Sequence, residues 1–115
     1  MLIIKPDQNN SDNEIKALNA FLDETPCGYV RFKLNGYIVI ITEFLPLLSD
    51  RGEADEMYPV ADTLIRALGS WALNRSCYYV ECHEPMLYPT LSRLRFSEKD
   101  GVMRSDLSRI LKQCH

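Results

Sequence analysis

Two apolar runs separated by one amphipathic stretch restrict this chain more than any other feature. Tyr37–Phe44 (YIVIITEF) and Tyr78–Cys82 (YYVEC) read as strands, and Ala61–Asn74 between them reads as a helix. Ala61, Leu64, Ile65, Leu68, Trp71 and Ala72 recur at helical spacing, with Asp62, Arg66, Ser70 and Asn74 on the opposite side. A strand–helix–strand unit closes as a right-handed crossover between parallel strands. The run Ile38–Ile41 is apolar at every position, which predicts a central strand covered on both sides. The connection Leu45–Pro59 is much longer than the roughly two to six residues usual between a strand and a helix, and long connections are often functional. Folds of this class place ligands beyond the carboxyl ends of such strands. A helix that opens there offers backbone N–H groups to an anion.

The flanking segments supply further elements. Leu2–Ile4 is a short strand before Pro6. Ser11 and Glu14 match a capping box, and Ile15, Leu18, Phe21 and Leu22 follow at helical spacing, so a helix is expected there. Thr25-Pro26 should end it, with Cys27-Gly28 turning the chain. Val30, Phe32 and Leu34 alternate with Arg31 and Lys33 as in a half-buried strand. Asn35-Gly36 suits a type I′ turn, which makes Tyr29–Leu34 and Tyr37–Phe44 a hairpin. Pro85–Leu94 reads as helical with Leu87, Leu91 and Leu94 on one stripe. Pro89 fits only a first turn, so its regular part should start near Tyr88. Asp100-Gly101 marks a second hairpin within Phe96–Met103, and Ser105–Lys112 reads as a short final helix.

Length and charge narrow the function classes. With 115 residues the chain makes one domain. No apolar segment is long enough to span a membrane, and the N-terminus lacks a leader pattern. Net charge is −3 and the basic residues are scattered in sequence, so neither nucleic acid nor an acidic membrane surface is an expected partner. Cys27, Cys77, Cys82 and Cys114 are too sparse for a disulfide scaffold, which points to a reducing, cytoplasmic setting. Cys82, His83, Cys114 and His115 lack the tight spacing of zinc ligands, so no metal is expected. Either the Tyr29–Leu34 strand or the C-terminal hairpin offers an edge for a homodimer.

The element order resembles the GNAT superfamily of acyl-CoA N-acyltransferases. ADTLIRALGSWALNRSCYYVE looks like that family's cofactor helix and next strand, and LYPTLSRLRF looks like the segment that closes on Leu-Gly-Phe, here Leu94-Arg95-Phe96. The resemblance covers residues 28–103. It implies an α/β domain over residues 1–115, an α+β mixed sheet flanked by helices on both faces, with acetyl-CoA as cofactor. The family's phosphate motif runs Gln or Arg, two residues, Gly, one residue, Gly or Ala; those positions are Glu56, Pro59 and Ala61 here. Glu56 brings a carboxylate and Pro59 lacks an N–H, so the motif is degenerate. By the same resemblance Phe44, Leu45, Val60, Asp62 and His83 border the cofactor. Glu43, near the end of the central strand, stands where the family keeps its base. The usual acidic tyrosine is replaced by Leu91, with Tyr88 one helical turn earlier.

Two functions follow. One is acetyl transfer from acetyl-CoA to a small-molecule or peptide amine, with Glu43 as base and Tyr88 as acid. The other is a catalytically inactive GNAT-like binding or regulatory protein. It would act through the acidic connection at residues 49–56, where Asp50, Glu53, Asp55 and Glu56 face a single Arg51.

Overall fold

The computed structural model of the chain describes residues 1–6, 15–48 and 56–110, apart from the side chain of residue 109. Seven strands are described: β1 Leu2–Pro6, β2 Lys16–Leu22, β3 Thr25–Asn35, β4 Ile38–Leu45, β5 Tyr79–Cys82, β6 Ser97–Lys99 and β7 Val102–Asp106. They form one sheet in the order β1-β2-β3-β4-β5-β7-β6. Helix α1 is Tyr58–Leu73, α2 is Tyr88–Ser92 and α3 is Leu107–Ile110, with a 3-10 turn at Pro85–Leu87. Every described strand pairing is antiparallel except β4 with β5, joined by the α1 crossover. This is the mixed α+β sheet expected.

Several elements differ from their sequence reading. The helix expected before the first hairpin is strand β2 over Lys16–Leu22, paired with both β1 and β3. Its capping residues Ser11 and Glu14 lie outside the described residues. The turn falls at Asp23-Glu24, both at positive φ (51° and 72°), and not at Cys27-Gly28, which lies inside β3. In the next hairpin Asn35 pairs with Ile38, so the two loop residues are Gly36 and Tyr37. Of the turn's residues only Gly36 has positive φ, which fits a glycine-first turn and not type I′. Helix α1 begins at Tyr58, one turn earlier than Ala61, because Pro59 tolerates only a helix's opening turn. The same rule starts α2 at Tyr88, as expected. Ser105 belongs to β7, so the last helix opens at Leu107; residues 111–115 are not described.

Directly opposed residues share a sheet face. Leu18, Val30 and Phe44 therefore point one way, as do Phe32 with Ile41 and Val39 with Val80. All are buried in one cluster with Leu64, Ile65 and Leu68 of α1, Leu91 of α2, and Leu107 and Ile110 of α3. Among the described residues the three helices thus pack on the same face. Burying each large aliphatic side chain contributes about 1.5–3 kcal/mol.

Close packing between the sheet and α1 needs Gly28. A Cβ there would stand 2.7 Å from the Leu45 carbonyl oxygen, 3.0 Å from Pro46 Cδ and 3.2 Å from Leu64 Cδ1. The nearest of these is backbone and cannot swing aside. Gly28→Ala is therefore expected to destabilise by about 1–3 kcal/mol. Urea unfolding would read this as a lower midpoint at unchanged slope, and an unchanged midpoint would show that β4's end yields freely.

Candidate functional site

Strands β4 and β5 run together only from Ile38–Tyr79 to Ile41–Cys82. Beyond those pairs β4 continues to Leu45, while the chain after Cys82 bends into the Pro85–Leu87 turn. The strands part, and a crevice of about 330 Å³ opens between them. One wall is Glu43, Phe44 and Leu45; the other is Glu84, Met86 and Leu87. Such openings at the carboxyl ends of parallel strands are where α/β sheets bind ligands. The first wall is tied down from behind, since the Leu48 N–H donates to the buried Thr90 hydroxyl at 3.0 Å.

A β-bulge aims Glu43. Phe32 opposes Ile41 while Arg31 opposes Glu43, so Thr42 is an extra residue on β4. Strict alternation from Val39 and Ile41 would point residue 43 into the core. The bulge turns Glu43 outward and Phe44 inward; Phe44 is buried. Arg31 Nη1 donates to Glu43 Oε2 at 2.7 Å, which fixes the carboxylate at the crevice wall. Both side chains are about half exposed (52% and 50%). The pair therefore orients more than it stabilises.

The other sequence-predicted residues divide into two groups. Phe44 and Leu45 line the crevice with Glu43. Glu56, Pro59, Val60, Ala61 and Asp62 surround the opening of α1. Glu56 and Pro59 are exposed and Val60 is buried. Ala61 is fully buried and its N–H already donates to the Met57 carbonyl at 3.0 Å. Pro59 removes one donor from the opening turn, leaving the N–H groups of Tyr58 and Val60 in it. The Asp62 carboxylate is neutralised by Arg66 at 2.9 Å and Arg95 at 2.6 Å. Arg93 stands 5.6 Å from the Tyr58 ring centroid. Sequence reasoning did not place Arg93 and Arg95 beside α1, because they arrive from beyond α2.

His83 and Tyr88 do not line the crevice. His83 Nε2 lies 3.1 Å from Glu81 Oε1, and Glu81 is also met by Arg104 at 3.5 Å. The Tyr88 hydroxyl donates to the Gly101 carbonyl at 2.7 Å, joining α2 to the β6–β7 turn. Desolvation raises the Tyr88 phenol above its ordinary pKa, and the negative charge available to Cys82 adds to the effect. Burial likewise raises the thiols of Cys77 and Cys82, which suits inert packing groups more than nucleophiles.

Among the described residues no group of three or more His, Cys, Asp or Glu side chains converges on a metal position, and Cys114 and His115 are not among them. The acidic stretch at 49–55 is also outside the described residues. No described helix is long and apolar enough to cross a membrane.

No protein-family model matches the sequence, and no characterised protein matches it in a sequence search. Solved structures do match in fold. A candidate acyl-CoA N-acyltransferase of Klebsiella pneumoniae superposes with a TM-score of 0.65 at 14% identity, covering 93% of this chain and 98% of that one. An IAA acetyltransferase of Bacillus cereus gives 0.62 at 8% identity, over 90% of this chain and 97% of that one. The PaiA N-acetyltransferase of Thermoplasma acidophilum, in complex with coenzyme A, gives 0.62 at 15% identity, over 86% of this chain and 65% of that one.

Proposed function

We propose that this chain, which has the GNAT acyl-CoA N-acyltransferase fold, transfers an acetyl group from acetyl-CoA to a small-molecule or peptide amine. The observation that carries the reading is the crevice where β4 and β5 part, with Glu43 turned into its wall by the bulge. Apolar Phe44, Leu45, Met86 and Leu87 suit the acyl and pantetheine portion of the donor. Its pyrophosphate would be held by the N–H groups of Tyr58 and Val60 at the opening of α1. Asp62 does not oppose this, being neutralised by two arginines.

Bound acetyl-CoA supplies a thioester, whose carbonyl carbon gains the amine nitrogen and loses the sulfur. Glu43 takes the proton from the incoming ammonium, held in place by Arg31. The nitrogen's second proton, lost as the amide forms, balances the one that the departing thiolate takes, with water or Tyr88 as the relay. The Tyr88 role requires its hydroxyl to leave the Gly101 carbonyl.

Pro59 and the exposed Glu56 favour a second reading, a GNAT-fold binding or regulatory protein without catalysis, acting through the acidic residues 49–56. One titration separates the two. A ligand at one hundred times its Kd stabilises by about 2.7 kcal/mol, a rise in Tm on the order of 10 °C for a domain of this size. Acetyl-CoA is expected to give such a rise. No shift at millimolar acetyl-CoA would discard the transferase in favour of the binding protein.

A further inference from the structure

The sheet face opposite α1 carries an unusual set of side chains. Basic residues that are scattered in sequence fall on it together, because strand residues two apart share a face. Lys5, Arg31, Lys33, Lys99 and Arg104 stand there against Glu43, Glu81 and Asp106. Among the described residues cations outnumber carboxylates on this face, although the whole chain carries −3. A second copy of the chain would meet its own excess of cations, which disfavours self-docking.

The signs are arranged in space. Glu43 and Glu84 line the crevice, with Glu81 on the neighbouring cross-strand row. That row runs Lys33, Ile40, Glu81, Arg104 and Ser97 from β3 to β6. Lys33 and Arg104 are three strand spacings apart, roughly 14 Å. Lys99 lies farther along, beside a shallow depression of about 250 Å³ with Ser97, Arg104 and Tyr79. Glu43 and Glu84 thus stand at the crevice and Glu81 beside it, Lys33 and Arg104 flank Glu81 along its row, and Asp106 shares the second depression with Lys99. No described helix covers the ground between, where Ile38 and Ile40 are half-buried.

We infer that this face docks an acidic polypeptide, which presents an amine to the crevice while its acidic side chains pair with Lys33, Arg104 and Lys99. The inference rests on the proposed transferase reading for the amine. The docking itself rests on charge complementarity and on the continuity of this face with the crevice through Glu43. A face of seven described strands has room for an extended chain, whereas a small amine would use only the crevice.

Three labelled peptides test it by fluorescence anisotropy, each with one lysine, flanked by glutamates, serines or arginines. The glutamate peptide is expected to bind at least tenfold more tightly than the serine peptide at low salt, and to lose that advantage as salt screens it. The Lys33→Glu/Lys99→Glu double variant should abolish the preference while keeping the acetyl-CoA-induced rise in Tm. Equal binding of the three peptides overturns the inference, as does a preference that survives the double variant. Acetylation of spermidine but of none of the peptides overturns it too, and leaves the transferase reading standing. Absence of any acetyl-CoA shift strikes that reading alone, since peptide binding is measured without the donor.

Discussion

Phe32→Ala should destabilise this fold by about 3–5 kcal/mol, the largest loss expected from one substitution in the sheet. Phe32 has no exposed surface and lies on β3 opposite Ile41 of the central strand. Its ring meets Trp71 of α1 edge-on, with centroids 4.8 Å apart and planes at 70°. Truncation removes the ring's burial and leaves a cavity between sheet and helix that neither can fill, since β3 is paired along both edges. The aromatic contact adds about 0.5–1.5 kcal/mol to what burial alone contributes. Domains of this kind hold together by only about 5–15 kcal/mol in total, so the variant should be close to unfolding. Urea unfolding of Phe32→Leu beside Phe32→Ala makes the measurement safe: leucine refills part of the volume and should recover more than half of the loss. If alanine lowers stability by less than about 1 kcal/mol, α1 does not seat on β3 through this contact.

The Phe32 position was readable from sequence, and the reason separates what was legible from what was not. Val30 and Phe32 alternate with Arg31 and Lys33, and α1 repeats its apolar residues at helical spacing; both patterns are local and long enough to be decisive. Strand β2 failed because Ile15, Leu18, Phe21 and Leu22 fit a helical stripe by accident of spacing. The buried residues prove to be Ala17, Leu18 and Ala20, with alanines that carry little periodic signal. Its turn was hidden as well, since Asp23 and Glu24 both take positive φ where a sequence argument asks for glycine or asparagine. Pairing with β1 and β3 overrode local preference.

The candidate site shows the same division. Glu43 at the end of β4 follows from element order. Its outward direction depends on the bulge at Thr42, which no residue type announces. The Arg31 contact follows from that bulge, because an unbroken hairpin register would set residue 43 against Val30. Arg95 reaches Asp62 across 33 positions of sequence, a contact decided only when the segment after α2 packs near α1. Of the cation-rich sheet face, Lys99 and Arg104 are close enough in sequence to suggest a basic patch, but its extent across the sheet was out of reach for a related reason. Lys5, Lys33 and Arg104 are seen to share one sheet face only once strand order and register are known, and without them they look dispersed.

Glu43→Gln is expected to cut the acetyl-transfer rate by about 10²–10⁴-fold, the range general base catalysis supplies. Glutamine keeps the side chain's size and its hydrogen-bonding oxygen for Arg31, but it cannot take a proton. Stability should move little, since a half-exposed ion pair contributes at most about 1 kcal/mol. The acetyl-CoA shift in Tm should likewise persist, because apolar Phe44, Leu45, Met86 and Leu87 are untouched. Following free thiol release with acetyl-CoA and an amine acceptor, beside the thermal titration, divides the outcomes. A slow enzyme that still binds donor places the proton at Glu43. A rate within about threefold of the parent means the amine loses its proton elsewhere, to water or to Glu84 across the crevice. A variant that fails to bind donor would make Glu43 part of the binding wall, and Arg31→Met then distinguishes a lost orientation from a lost charge. Arg31 touches Glu43 directly, so its removal should slow turnover without altering donor affinity only if its task is to hold the base in place.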